Sequence, residues 1–292
     1  MDSLSTFESH RDRLFGVAYR MTGSVADARD ICQDAWLRWQ VIDAGTVDNG
    51  EAFLVRIVTR LAIDRSRSAS ARRESYVGPY LPEPLLQDRH DDPQAAAEVA
   101  DSMTFAFLVL LDELSPIERA VFLLHDVFAY SFDEIALSVD RSAPACRQIA
   151  SRTRRRISEH RVTSRRPNEG VEQILINELI TKTMEGDIEA LMRLLAPDIV
   201  QLDDGGPPRK AARRPIVGAD RVARFMVNLA KRFGPHMTME SISVNESTGF
   251  LFKIDGKPDM VMAIEWTPDN LVQRIFVQLN PDKLRHIATT EQ

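Results

Sequence analysis

Two stretches of this chain concentrate cationic side chains densely enough to call for an anionic partner. From Arg56 to Arg73 six arginines stand against a single acid, Asp64, and from Ala145 to Arg166 eight stand against Glu159 alone. Guanidinium groups bind phosphate oxygens through paired N–H donors, so a nucleic-acid backbone is the chemistry these runs point to. Solvated helix faces are the bland alternative for either run taken singly. A third cluster has the opposite sign: Asp27, Asp30 and Asp34 share one helix face. Three carboxylates can hold a metal, but no histidine stands at ligand spacing, so contact with a basic partner is the better reading. The six histidines form no HxxxH or HExxH pair and Cys32 and Cys146 form no CxxC pair. No metal, disulfide framework or cofactor is therefore expected.

The elements that carry these clusters belong to a chain of 292 residues, enough for two domains or three small ones. Its 44% hydrophobic and 27% charged residues exclude collagen-like and wholly disordered classes. The formal net charge is -6, so the basic runs are local faces on an acidic protein. Residues 1–181 hold 22 arginines and no lysine, and all six lysines lie from Lys182 onward, which makes the chain compositionally two-part. The apolar run Ala106 to Leu111 is far short of the roughly 20 residues that span a bilayer, and no signal-peptide pattern is present. A cytoplasmic protein without membrane contact is expected.

Residues 7–39 read as helix interrupted at Thr22-Gly23, with Ser24 capping the second half and Ile31, Ala35 and Trp39 on its inner face. A loop over 40–50 leads to a helix from Ala52 to Arg73. There Phe53, Leu54, Ile57, Val58, Leu61 and Ala62 turn inward, and Arg56, Arg60 and Arg67 turn outward. Three prolines in the stretch Tyr76 to Leu85 and the polar residues 87–93 rule out helix and read as an interdomain linker. An apolar helix over 102–113 follows, then two helices opened by capping boxes, Ser115 with Glu118 and Ser131 with Glu134. After a turn at Asp140-Arg141, Ser142 caps a last helix whose inner stripe is Cys146, Ile149, Ala150, Thr153 and Ile157. Short helix, tight turn and arginine-faced second helix make a helix-turn-helix. On the outer face Arg147, Gln148, Ser151 and Arg152 suit base edges or nearby phosphates, and Arg154, Arg155 and Arg156 suit the backbone.

Taken together, residues 1–166 resemble an extracytoplasmic-function (ECF) sigma factor, the bacterial class with only a region-2 and a region-4 domain. Ala26-Asp27-Ala28-Arg29-Asp30-Ile31-Cys32-Gln33-Asp34-Ala35-Trp36 is similar to the family's DAEDAVQEAF segment, with Arg29 in place of an acid. The resemblance implies core RNA polymerase (β′ clamp and β flap) and promoter DNA as partners. It assigns Asp27, Asp30, Gln33, Asp34 and Trp36 to the polymerase and Arg56, Arg60, Arg65 and Arg67 to the minus-ten element. Arg60 stands where an asparagine is common. Arg141, Ser142, Arg147, Gln148, Ser151, Arg152 and Arg155 are assigned to the minus-thirty-five element.

The stretch YVGPYLPEPL resembles the YVGPWLPEPL signature of the group with a fused carboxyl-terminal extension. Asp204-Gly205-Gly206 resembles the start of its DGGG motif, and Asn280-Pro281-Asp282-Lys283-Leu284 matches its NPDKL motif. From Val171 the pattern is two helices, a short strand near 199–202, a helix over 219–233, and strands near 237–244, 249–254, 260–266 and 271–279. Such an order implies an α+β domain, similar to the SnoaL-like, NTF2-like cone.

The expected fold is thus multidomain, two all-α domains followed by an α+β SnoaL-like domain. The boundaries are 1–76 (region 2), 77–100 (linker), 101–166 (region 4) and 170–292 (extension). The resemblance implies that the extension modulates activity in cis, the DGG loop and the tail motif lying against region-2 and linker surfaces, with no separate anti-sigma factor required. Phe225, Met226, Phe250, Met262, Trp266 and Phe276 could line a small-ligand cavity, although such residues are more often plain core. Asp203, Asp204, His236 and Glu265 are the only candidates for cyclase-like chemistry; no acid–base pairing singles them out, so no enzyme is expected. The rival reading is a helix-turn-helix regulator with a ligand-sensing domain.

Overall fold

The computed structural model describes residues 3–74, 76–87, 104–160, 166–245 and 247–290. The chain divides into two compact units. The first comprises Met1–Ser75, Asp101–Met103 and Phe107–Arg161, and the second Tyr76–Ala100, Thr104–Ala106 and Val162–Gln292. Residues 88–100, the polar part of the expected linker, lie outside the described residues.

In the first unit α1 (Ser3–Thr22), α2 (Val25–Trp39) and α3 (Gly50–Glu74) pack around Leu14, Val17, Tyr19, Ile31, Ala35, Trp39, Leu54 and Val58, all buried. The break between α1 and α2 is local chemistry: Gly23 adopts φ +68° and Ser24 Oγ accepts the Asp27 amide at 3.1 Å. Trp39 closes the bundle by donating its indole N–H to the Ser3 carbonyl at 2.7 Å. Burying such a ring is worth about 2–3 kcal/mol.

Next come α4 (Phe105–Leu111), α5 (Pro116–Phe122), α6 (Phe132–Val139) and α7 (Ala143–His160). The expected helix over 102–113 is shorter at its described end. Residues 112–114 form a tight turn, with Leu114 N–H on the Leu111 carbonyl, because Ser115-Pro116 starts a new helix. Both capping boxes are formed. Asp140, in the left-handed conformation, ends α6, and α7 follows after Arg141-Ser142.

The second unit sets a seven-stranded sheet against α8 (Glu169–Glu185), α9 (Ile188–Leu194) and α10 (Ala219–Phe233). Its strands are β1 (Leu86–Gln87), β2 (Leu195–Asp204), β3 (Ile216–Val217), β4 (Met237–Val244), β5 (Ser247–Ile254), β6 (Lys257–Trp266) and β7 (Val272–Gln278), in the order β1-β4-β5-β6-β7-β2-β3. Only β2 and β7 pair in parallel. Registered partners share a face, so Gln201, Ile275, Ile264 and Thr248 form one row and Asp203, Val277, Met262 and Phe250 the next. Ile275, Ile264, Val277 and Phe250 bury against Ile176, Leu191, Val222 and Val227 of the three helices. The opposite face carries Leu202, Phe276, Asp204 and Gln278, and Phe276 packs on Phe105 with ring centroids 5.4 Å apart.

Two expectations need correction. The strand near 199–202 spans Leu195–Asp204, because a register irregularity between Leu195 and Val200 accommodates Pro197 and Asp198. The proline-rich segment does not run free between domains: residues 76–87 belong to the second unit, and Leu86-Gln87 pair with Val244 and Ser243 as an edge strand. Proline excludes helix but permits extended chain at a sheet edge, and β1 begins two residues after the last proline. A final helix, α11 (Pro281–Thr290), was not anticipated beyond its NPDKL start; it packs on β6.

Candidate nucleic-acid interface and motif hub

Helix α7 presents the cleanest candidate surface. Cys146, Ala150, Thr153 and Ile157 are buried and Ile149 is half-buried. Arg141, Ser142, Arg147, Gln148, Ser151, Arg152 and Arg155 are exposed. The Arg147 guanidinium lies 5.9 Å from the Phe132 ring centroid, which steadies it beside the turn. The backbone-facing trio divides. Arg154 pairs with Asp126 at 2.5 Å and Arg156 donates to the Glu113 carbonyl at 2.7 Å, so both brace the domain. Among the described residues Arg155 carries an exposed i,i+4 pair with Glu159, easily exchanged for a phosphate.

On α3 the four expected minus-ten residues are not equivalent. Arg56 stacks at 4.7 Å on the Phe53 ring, and Arg67 is exposed with Asp64 at 3.6 Å. Arg65 instead reaches α2, donating to Asp27 at 2.8 Å with Asp30 at 3.8 Å, so it ties together the surfaces assigned to DNA and to polymerase. Arg60 donates from Nη2 to the Leu137 carbonyl at 2.8 Å, and its Nε lies 3.4 Å from that of Ser138. On α2, Asp30, Gln33 and Asp34 are exposed, whereas Trp36 is half-buried against Phe7, 5.2 Å between centroids.

In the second unit three sequence motifs converge on one buried carboxylate. Asp204, 0% exposed, ends β2. Its Oδ1 accepts from the Tyr76 hydroxyl at 2.5 Å and the Gly206 amide at 3.1 Å. Its Oδ2 accepts from the Leu81 amide at 2.8 Å, Lys283 Nζ at 2.8 Å and Gln278 Nε2 at 3.3 Å. Lys283 also donates to the Leu81 carbonyl at 2.5 Å and sits 3.2 Å from the Tyr80 ring centroid. Asn280 donates to the Tyr76 oxygen at 2.8 Å and accepts the Asp282 amide at 3.0 Å, capping α11. Gly206 has φ +60°, and a Cβ there would stand 2.5 Å from Asn280 Nδ2, so glycine is required. Burial, then the Asp204 hydrogen bond, pushes the Tyr76 phenol well above its ordinary pKa. Gly205 packs under Ala211 and Arg209, Leu284 is buried, and Pro281 and Asp282 are exposed. Among the described residues Asp282 pairs with exposed Arg285.

The pocket candidates scatter. Phe250 and Trp266 are core, Met226 and Met262 pack half-buried against it, Phe225 is half-buried, and Phe276 faces the other way. Desolvation raises Asp203 to about 6 and Glu265 to about 7, the latter with Arg274 at 3.7 Å. Asp203 shares the inner face with Gln201, and no registered pairing sets it against Glu265. Sequence reasoning missed Gln278 and the roles of Tyr76 and Tyr80 in the hub. It also missed Arg119, which is 4% exposed and bonded to the Met21 and Leu111 carbonyls and Asp112.

A helix-turn-helix with an exposed, fork-rich second helix, preceded by a bundle with acidic and basic faces, is the build of a DNA-binding protein. Residues 6–72 match the Sigma-70 region 2 family and residues 104–157 match Sigma-70, region 4. The chain is 36% identical over 289 residues to the ECF RNA polymerase sigma factor SigJ of Mycobacterium tuberculosis, covering 96% of this chain and 92% of that one. The crystal structure of M. tuberculosis SigJ matches with a TM-score of 0.77 at 34% identity, over 97% of this chain and 98% of that one. A probable ECF sigma factor of the same organism, SigI, is 32% identical over 226 residues, 75% of this chain and 73% of that protein. The chain therefore belongs to the ECF sigma factors, transcription initiation factors that bind core RNA polymerase and promoter DNA, and its second unit is the SnoaL-like extension.

Proposed function

We propose that this chain binds core polymerase through Asp30, Gln33 and Asp34 of α2, reads the minus-thirty-five element with Arg147, Gln148, Ser151 and Arg152 of α7, and engages the minus-ten element with α3. We further propose that the SnoaL-like unit modulates this activity in cis. The observation that carries the second part is the Asp204–Lys283 pair, which anchors Tyr76 and Leu81, residues that follow α3 directly in the chain. Tethering makes such control intramolecular, at roughly millimolar effective concentration, so no separate anti-sigma factor is needed. The protein then acts in the cytoplasm, with the polymerase; among its described residues no helix is long and apolar enough to cross a membrane.

The test is run-off transcription with hub variants of the full chain. Lys283→Ala should change transcript yield several-fold, whereas Asp282→Ala, which removes only an exposed pair, should not. Equal yields from wild type and Lys283→Ala would remove the hub from regulation. A small-ligand role for the extension has one observation in its favour: among the described residues the buried Gln201 Oε1 and Trp266 Nε1 have no hydrogen-bond partner.

A further inference from the structure

The second unit carries a basic run of its own. From Arg209 to Arg232 eight cations stand against Asp220 alone, nearly the density of the run on α7, whereas the rest of residues 171–292 holds sixteen acids and seven cations. All eight cations are exposed. Three of them are already engaged. Arg209 makes a two-pronged pair with Asp259, 2.8 Å at each oxygen, Arg224 pairs with Asp220 one turn earlier, and Arg232 lies 5.1 Å from the Phe233 ring centroid. Among the described residues Lys210, Arg213, Arg214 and Lys231 form no ion pair.

These side chains are displayed from fixed backbone. The chain folds back at Gly205, where a Cβ would stand 2.9 Å from the Arg209 carbonyl. Asp203 accepts the Ala212 backbone amide. Arg213 packs closely on Gly78, whose φ is +90°: a Cβ on Gly78 would lie 3.5 Å from the Arg213 Cα. Pro207, Pro208 and Pro215 bracket the loop and restrict its backbone. Asp203 lies on the sheet face that α10 covers, so the loop and the helix share one side of the sheet. Along α10 Val222, Ala223 and Val227 turn inward, and Arg221, Arg224, Asn228 and Lys231 follow one another outward at steps of three and four. That stripe is about 15 Å long, the axial rise of about four phosphates on one DNA strand.

Like charges gathered on a pinned loop and one helix stripe repel each other, and a polyanion relieves that repulsion. The acidic remainder of the unit repels the same polyanion, so phosphate approaches best along the run. Gly78, under Arg213, stands four residues after Glu74, the last residue of α3, which is at most about 14 Å of extended chain. The loop is thereby tethered close to any duplex that α3 holds. We propose that residues 209–232 form a phosphate-binding surface of the SnoaL-like unit, on which Lys210, Arg213, Arg214, Arg221 and Lys231 hold promoter duplex near the minus-ten element. The inference rests on α3 serving that element. Its contacts go to phosphate oxygens, so the surface adds affinity and positions the duplex without reading sequence.

Fluorescence anisotropy of a labelled promoter duplex tests this, titrated across salt with the full chain, free and assembled with core polymerase. Arg213→Ala with Arg214→Ala removes two exposed side chains that brace nothing, so the fold should survive. It should lower the slope of log affinity against log salt by about two and weaken binding roughly 30-fold at about 0.15 M salt. Arg213→Lys with Arg214→Lys keeps both charges and should keep the slope. Arg193→Ala with Lys257→Ala removes two exposed cations outside the run and should leave the slope at the wild-type value. An unchanged slope in the Arg213→Ala, Arg214→Ala pair overturns the proposal, and so does an equal fall in the Arg193→Ala, Lys257→Ala pair. Weaker assembly with polymerase at a wild-type duplex slope also overturns it and hands the run to the polymerase. If the assembled wild type shows no preference for promoter over unrelated duplex, the sigma reading itself fails. The slope, which does not depend on sequence, still decides the basic surface, and a chain that binds no duplex at low salt overturns both.

Discussion

Removing the Asp204 carboxylate should release the proline-rich segment from the SnoaL-like unit. In the folded protein this fully buried group accepts five hydrogen bonds, from Tyr76, Gly206, Leu81, Gln278 and Lys283. Asp204→Ala leaves the Lys283 ammonium buried without its carboxylate, beside the Leu81 carbonyl and the Tyr76 and Tyr80 rings. Breaking a buried ion pair from one side costs about 3–5 kcal/mol. Lys283→Met should cost less, about 2 kcal/mol, because Asp204 keeps four neutral donors. Hydrogen exchange read by mass spectrometry is the sharpest assay, since the Leu81 and Gly206 amides donate to Asp204 directly. At about 1.4 kcal/mol per factor of ten, Asp204→Ala should accelerate exchange at those amides about 150- to 4,000-fold, and Lys283→Met about 30-fold. Exchange within threefold of wild type in Asp204→Ala would refute the hub as the anchor. Equal effects from the two variants would refute the asymmetry.

Other outcomes follow from the same geometry. Gln148→Ala or Arg152→Ala should relax minus-thirty-five specificity by about 1–3 kcal/mol per base pair lost, whereas Arg155→Ala should weaken all sequences alike and flatten the salt dependence by about one unit, both read by duplex titration across salt. Burial holds the Asp203 carboxyl up at about 6 and the Glu265 carboxyl at about 7, above the ordinary carboxylate range. Their contribution is complete below pH 4 and declines as pH rises to about 7, so Glu265→Gln should flatten the fall in melting temperature between pH 5 and pH 7. Burial pushes the Cys32 thiol up to about 11, so alkylation at pH 8 should run roughly 100-fold slower than for a free thiol.

Local chemistry was legible in the sequence. Ser115 with Glu118 and Ser131 with Glu134 are formed capping boxes, and the inner stripe of α7 is the expected one, because both depend on residues within a turn of each other. Contacts across long separations were not. Arg65 meets Asp27 from 38 residues away, so two side chains of opposite sign, assigned by type to different partners, neutralise each other. Arg119 is an arginine in a buried position, and beside its local partners Leu111 and Asp112 it bonds the Met21 carbonyl, 98 residues distant. Proline spacing correctly excludes helix over 76–85, but pairing of β1 with β4 depends on Asn245, whose backbone and side chain both bond Leu85. In the hub, Asp204, Gly206, Asn280 and Lys283 could be singled out by motif resemblance. Gln278 could not, because its place is set only by the register of β7 against β2.

The most direct test of the whole account is run-off transcription with purified core RNA polymerase and the full chain, on the promoter of the gene encoding this protein or its neighbour. The account predicts a transcript of defined start that appears only when the chain is added and disappears when the α7 surface is stripped by Arg147→Ala with Arg152→Ala. A chain that binds the duplex yet neither associates with core polymerase nor yields a transcript would contradict it and leave a helix-turn-helix regulator in its place.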